Sequence, residues 1–147
     1  MFYIHAHLDN LGDVEALLGI CGFEKGGRVQ CEIDSACLDF CEQGGYVPAS
    51  PDRTLEFSAR LSSEIGSGLL IWNTPYARFQ NGGFVMTDEA GRTWVGAGEQ
   101  KPIVRKDWPL EYDKAQNPNA GPHWFERMKA DHLKDILDRA RAAQKRR

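Results

Sequence analysis

Four apolar residues, Leu69-Leu70-Ile71-Trp72, run directly into Asn73-Thr74-Pro75, and this junction constrains the fold more than any other stretch of the chain. Proline fixes its own φ and keeps the preceding residue out of the helical region, so no helix can continue through Thr74. The apolar run therefore reads as a buried strand. Tyr76-Ala77-Arg78-Phe79-Gln80 suits a helical turn, closed by Asn81-Gly82-Gly83. In this reading Tyr76 packs its ring on the sheet, so that Tyr76→Ala would cost about 2–4 kcal/mol, and Arg78 sits nearer the surface.

Elements on either side follow from periodicity. Residues 10–19 suit a short helix with Asn10 as cap and Leu11, Val14, Leu17 and Leu18 on one face. Between Arg28 and Gln43, Val29, Ile33, Ala36, Cys37 and Phe40 form one helical stripe, which Gly44-Gly45 ends. Over 54–61, Leu55, Phe57, Ala59 and Leu61 alternate with Glu56, Ser58 and Arg60. That pattern predicts a half-buried strand, paired through Gly66-Ser67-Gly68 with 69–72 as an antiparallel hairpin. Residues 84–87 and 92–95 flank the turn-forming Asp88-Glu89-Ala90-Gly91 and predict a projecting ribbon over 84–96. Residues 99–119 read as a long loop. The final element is a helix over about 121–143, with Pro122 in its first turn and Phe125, Met128, His132, Leu133, Ile136, Ala140 and Ala143 on the face turned to the sheet. The fold class expected is α+β: a small antiparallel sheet flanked by two main helices. A chain of 147 residues is most simply one domain. Within it, 1–27 has no assigned role, 84–104 is a ribbon and loop insertion, and 144–147 is a basic tail.

No apolar run approaches the roughly 20 residues of a membrane span. No basic region precedes an apolar core at the N-terminus, so folding in the cytoplasm is the expectation. The four cysteines, Cys21, Cys31, Cys37 and Cys41, include no C-x-x-C pair. Free, small, buried thiols are therefore expected rather than disulfides. Cys37 and Cys41 are one helical turn apart, but a zinc site would need two more ligands, and His5 and His7 are the only nearby candidates. A cysteine hydrolase needs a thiolate, a base and an oxyanion donor together. Three of the thiols fall in one helix and Cys37 on its buried face, which argues against that reading. His123 is expected to cap or pack the start of the last helix. Gly96-x-Gly98 lacks the strand, helix and lysine of a phosphate loop. Neither a catalytic site, a cofactor nor a metal is expected.

The net charge of −3 is unevenly spread. Residues 1–75 carry eleven acidic and four basic side chains, and residues 76–147 carry ten acidic and fourteen basic. Arg139, Arg141, Lys145, Arg146 and Arg147 crowd the last nine residues with no acid among them. Such asymmetry suits head-to-tail association, although cations also favour a helix C-terminus for local reasons. An acidic chain whose basic end has no interleaved aromatics is not expected to bind nucleic acid directly. Trp72 and Trp124 are expected in the core and Trp108 packed on the body. Trp94, in the ribbon, suits either packing or a role as interface anchor.

Three segments carry a family resemblance. Trp72-Asn73-Thr74-Pro75-Tyr76-Ala77-Arg78 resembles the "WNTPYAR" signature of the minor capsid proteins of tailed bacteriophages, of the tail-completion and head–tail connector type. Tyr46-Val47-Pro48 followed by Thr54-Leu55 and Ser58 resembles the stretch in which a proline leads into that family's first long strand, although Asp52-Arg53-Thr54-Leu55 stands where the family has Thr-Gly-x-Leu. Pro109 to Tyr112 and Asn119 to Lys129, with Trp124-Phe125-Glu126 at its centre, resemble the closing "NPxAxxxWFExAK" segment. The matches span roughly 28–135. The resemblance implies a non-enzymatic virion protein at the head–tail junction, made in the host cytoplasm. Its partners would be its own copies in a ring in the virion, with the isolated chain expected to be a monomer until a partner ring templates it, and head-completion and tail-tube proteins, with no membrane and with DNA only as the contents of the channel. Arg78, Trp94 and the basic end (Arg139, Arg141, Lys145, Arg146, Arg147) are the candidate contact residues. Trp72, Pro75, Tyr76, Trp124 and Phe125 are the candidate structural motif. A small cytoplasmic binding or regulatory protein of the same fold is the competing class.

Overall fold

The computed structural model describes residues 2–5, 22–94 and 103–146, the first four by backbone alone. The elements are β1 (Phe2–His5), α1 (Arg28–Gln43), α2 (Thr54–Ser62), β2 (Leu69–Trp72), α3 (Ala77–Gly82), β3 (Phe84–Thr87), β4 (Ile103–Pro109) and α4 (Trp124–Lys145). The class is α+β, with two antiparallel two-stranded sheets, β1–β2 and β3–β4. The helix read over 10–19 lies outside the described residues.

Helix α1 has the expected bounds. Val29, Ala36 and Cys37 of its stripe are buried, and Ile33 and Phe40 pack at the core's edge. Asp34, Leu38 and Cys41 are buried too, so α1 is covered on two sides. Along one side lies α4. The last helix thus packs chiefly on α1, and its first residue, Trp124, meets Trp72 of β2. Helix α4 starts at Trp124, so Pro122 precedes it rather than filling its first turn. His123 takes the cap position with φ 50° and makes no side-chain capping bond. Of the predicted face, Phe125, Met128, Ile136, Ala140 and Ala143 are buried, but Leu133 is exposed.

Residues 54–61 are helical, which overturns the predicted strand and hairpin. The alternating pattern also contains the i, i+4 pair Leu55 and Ala59, the two of its apolar residues that are buried; Glu56 and Ser58, expected on the open face, are buried too, whereas Phe57 is exposed and Leu61 is 87% exposed. Start and interior are both held by side chains: the Asp52 carboxylate accepts the Thr54 N–H at 3.1 Å, and Ser58 Oγ donates to the Leu55 carbonyl at 2.8 Å. Strand β2 pairs instead with β1, Phe2 opposite Trp72 and His5 opposite Leu69. In addition, the Ile71 N–H donates to Ser63 Oγ at 2.9 Å, a bond to the segment just after α2.

A single buried carboxylate shapes the approach to β2. Asp34 Oδ2 accepts the N–H groups of Gly66 at 2.7 Å and Gly68 at 3.0 Å, and Oδ1 accepts Gln30 Nε2 at 2.9 Å. Gly66 has φ +96°, and a Cβ there would come within 2.8 Å of Cys31 Sγ, so glycine is required on both counts.

The ribbon differs from expectation in its second strand. Asp88 closes the predicted turn, accepting the Arg92 N–H at 2.8 Å and Arg92 Nε at 2.6 Å. However, Thr93 and Trp94 do not continue as a strand. The partner of β3 is β4, Val85 opposite Arg105 and Thr87 opposite Ile103, taken from the stretch read as loop. Charges and a proline within Ile-Val-Arg-Lys-Asp-Trp-Pro hid its β character.

Candidate functional site

The three segments singled out in the sequence converge in space. Trp72 and Trp124 meet edge to face with centroids 5.7 Å apart. Beyond Pro75 the chain turns into α3, whose end is fixed by Gly83 at φ +83°; a Cβ there would strike Pro122 at 2.8 Å. The Asn81 carbonyl accepts the His123 N–H at 3.0 Å, and the Gln80 carbonyl accepts the Tyr112 hydroxyl at 2.5 Å. The loop before α4 is tied to the segment after α1: Asn117 Nδ2 donates to the Val47 carbonyl at 2.8 Å and Asn119 Nδ2 to the Gly44 carbonyl at 2.7 Å. Arg127 folds back on its own loop, donating to Pro122 O at 2.7 Å and Asn119 O at 2.8 Å, with its guanidinium over the Tyr46 ring. Tyr46 in turn bonds Asp131 through its hydroxyl and meets the His132 ring edge-on; His132 also stacks on Phe40 at 4.6 Å. Burial, with the Asp131 bond adding to it, pushes the Tyr46 hydroxyl up to about 12. Tyr112, Asn119 and Arg127 belong to the closing segment named in the sequence, but no bonding role is read for them there, and Asn117 lies outside it. The Asn-Pro-Asn-Ala-Gly-Pro composition of their loop marked a turn, but not which carbonyls it would reach.

Among the motif residues, Trp72, Trp124 and Phe125 are buried as expected. Tyr76 is not: it is 37% exposed and rims an open depression of about 510 Å³ with Pro48, Pro51, Leu55 and Gln80. Its backbone sits one residue before α3, so the small Ala77 turns inward in its place and is fully buried. Pro75 and Arg78 are exposed.

The basic end is only partly free. Arg139 reaches back to α1, its Nε donating to Glu32 and Nη1 to Asp39, both at 2.7 Å. Asp39 also receives Arg60 at 2.6 Å, and Arg60 holds Glu42 at 2.5 Å. Although burial raises the Asp39 carboxyl, the Arg139 and Arg60 hydrogen bonds outweigh it and hold the group below its usual value. Within one copy Arg139 is therefore a clamp between α4 and α1. Arg141 pairs with Asp138 at 3.2 Å, and Arg146 lies 3.8 Å from Glu32; both are well exposed. Lys145 is exposed, and Arg147 lies outside the described residues. On the ribbon, Trp94 is 74% exposed, and Trp108, expected to pack, is 46% exposed.

Cys31, Cys37 and Cys41 are free thiols. Burial pushes Cys37 up to about 12 and raises Cys41 as well, so both stay protonated at neutral pH. Cys21, His7 and the side chain of His5 lie outside the described residues. Among the described residues no group of three or more His, Cys, Asp or Glu is placed to hold a metal, and no helix is long and apolar enough to cross a membrane. No family model, curated protein or solved structure matches the chain.

Proposed function

We propose that this chain is a structural protein of a tailed-phage particle, placed at the head–tail junction, where copies of it form a ring between the DNA-filled head and the tail. The observation that carries the reading is the Trp72–Trp124 contact. It brings the "WNTPYAR" segment against the "WFE" segment, so residues far apart in sequence and resembling one family act as one packed unit. The bonds from Asn117 and Asn119 to Val47 and Gly44 add the third segment to that unit. The helix at Thr54–Ser62 departs from the strand the resemblance implies there, so the proposal rests on the packed motifs rather than on a strand-for-strand likeness.

The role is non-enzymatic and geometric. Weak contacts between neighbouring copies are multiplied by ring closure. Arg78, Arg141, Lys145 and Arg146 supply exposed cations and Trp94 one aromatic anchor, Arg147 adds a further charge by sequence, and the acidic first half of the chain supplies the complementary charge. An antibody against the chain, gold-labelled and applied to purified particles, tests the placement. Label at the joint between head and tail is expected; particles free of label and of the chain would contradict it.

A further inference from the structure

We infer that the depression rimmed by Tyr76 receives Trp94 of a neighbouring copy, so that this chain joins head to tail through one indole and one receptor. Buried Pro48 and Leu55 form the floor of the depression, and Pro51, Asp52 and Tyr76 are exposed around it. At about 510 Å³ it falls within the size range of ligand pockets. Its polar groups do not converge as those of a small-molecule site do. Ser50 Oγ donates to Asp52 Oδ1 at 2.9 Å, and the same oxygen accepts the Thr54 N–H at 3.1 Å. An apolar floor beside a tyrosine ring suits a flat aromatic side chain.

The chain itself carries the matching group. Trp94 stands beyond the Thr87–Ile103 end of the ribbon and is 74% exposed, so it does not fill the depression of its own chain. Tryptophan is among the residues that most often anchor an interface. The charges beside the two surfaces are complementary. Arg92, two residues before Trp94, has 60% of its side chain exposed. Hydrogen bonds from Thr54, and behind them from Ser50, hold the Asp52 carboxyl down at about 2, so the rim carries a full negative charge. That carboxylate can accept the indole N–H or meet the Arg92 guanidinium. Donor and receptor lie on different surfaces, the ribbon end and the α1–α2 segment with α3, so the contact is heterologous and repeats from copy to copy. One indole in an open depression binds weakly, and ring closure multiplies it. The inference names a contact of the proposed ring and rests on that reading. Its test uses the purified chain, so failure there strikes this contact and leaves the place at the head–tail junction to be judged on particles.

Two-dimensional N–H NMR spectra of the full chain, recorded up to a concentration on the order of 1 mM, test a contact of this strength. In the wild type, the amide signals of Leu55, Tyr76 and Gln80 and the indole N–H of Trp94 are expected to shift together as concentration rises. Trp94→Ala and Tyr76→Ala should each weaken the association by about tenfold or more, and circular dichroism confirms that both are folded. Isotope-labelled Trp94→Ala is then mixed with unlabelled Tyr76→Ala. Each variant keeps the half that the other lacks, so the shifts at Leu55 and Gln80 should return and saturate at one-to-one, with no larger species. Wild-type spectra that do not change with concentration overturn the inference. So do shifts at the depression that persist in Trp94→Ala alone, or a mixture that restores nothing.

Discussion

Trp72 and Trp124 lie edge to face in the buried core, their ring centroids 5.7 Å apart, each with 1% or less of its surface exposed. The first is the last residue of β2 and the second the first residue of α4. Pro75 forces the chain out of β2 just after Trp72, and His123 turns it into α4 just before Trp124. The two elements therefore meet at their ends, and the ring pair fixes where the long helix begins relative to the strand.

That pair sets a contrast with Tyr76. Trp72→Ala or Trp124→Ala should lower stability by about 3–5 kcal/mol, whereas Tyr76→Ala should cost less than about 1 kcal/mol because its ring rims an open depression. Urea unfolding of the three variants measures this. A Tyr76 loss as large as the tryptophan losses would place that ring in the core.

Asp34→Ala removes the acceptor of two N–H groups in the buried turn before β2. A loss of about 2–4 kcal/mol is expected, since both donors are left unpaired. Asp34→Asn keeps one carbonyl oxygen and should lose less. Chemical denaturation ranks the two, and a neutral Asp34→Ala would mean that water replaces the carboxylate.

Arg139 joins α4 to Glu32 and Asp39 of α1 through partly exposed bonds. Arg139→Ala should cost about 1 kcal/mol, and the difference from wild type should shrink as salt rises. The Asp39 contribution has the sign of a depressed carboxyl. It is present above the ordinary carboxylate value and is lost as pH falls through the lower folded value. Acid unfolding of Arg139→Ala should therefore begin at higher pH than that of wild type.

The buried thiols act at the other end of the scale. Their values are raised on folding, so the stability they contribute is complete below the unfolded value near 9.0 and is lost as pH rises toward about 12 for Cys37. Across that window each thiol adds a decline of about 1.4 kcal/mol per pH unit. Replacing Cys37 and Cys41 together by Ala should flatten the alkaline limb of a stability–pH curve. An unchanged limb would assign the decline to other groups, Tyr46 first.

Much of this was legible in the sequence where one signal dominated. The stripe from Val29 to Phe40 marked α1, because all five apolar positions fit one helix face and no single strand face holds them all. Pro75 and Gly83 marked both ends of the turn after β2. The misreadings came where a short segment fits two periods. Leu55, Phe57, Ala59 and Leu61 alternate, yet Leu55 and Ala59 are also one helical turn apart, and the Asp52 carboxylate accepts the Thr54 N–H where the helix starts. β4 was hidden because its strand order comes from pairing with β3 across the turn, not from its own composition. Tyr76 was misplaced by one helical position, since Ala77 takes the inward site. Asp34 and Arg139 were invisible as clamps for a different reason: a charge on a helix looks solvated until the element packed against it is known.

The central claim is the place of this chain between head and tail, and particle assembly in its absence tests it most directly. In cells infected with phage unable to make the chain, electron microscopy should show filled heads and finished tails that remain unjoined, with joining restored by supplying the wild-type protein. Supplying a protein with Lys145, Arg146 and Arg147 reversed in charge, which leaves the buried stripe ending at Ala143 intact, should restore joining less well and more sensitively to salt. A normal yield of complete, infectious particles without the chain would contradict the account.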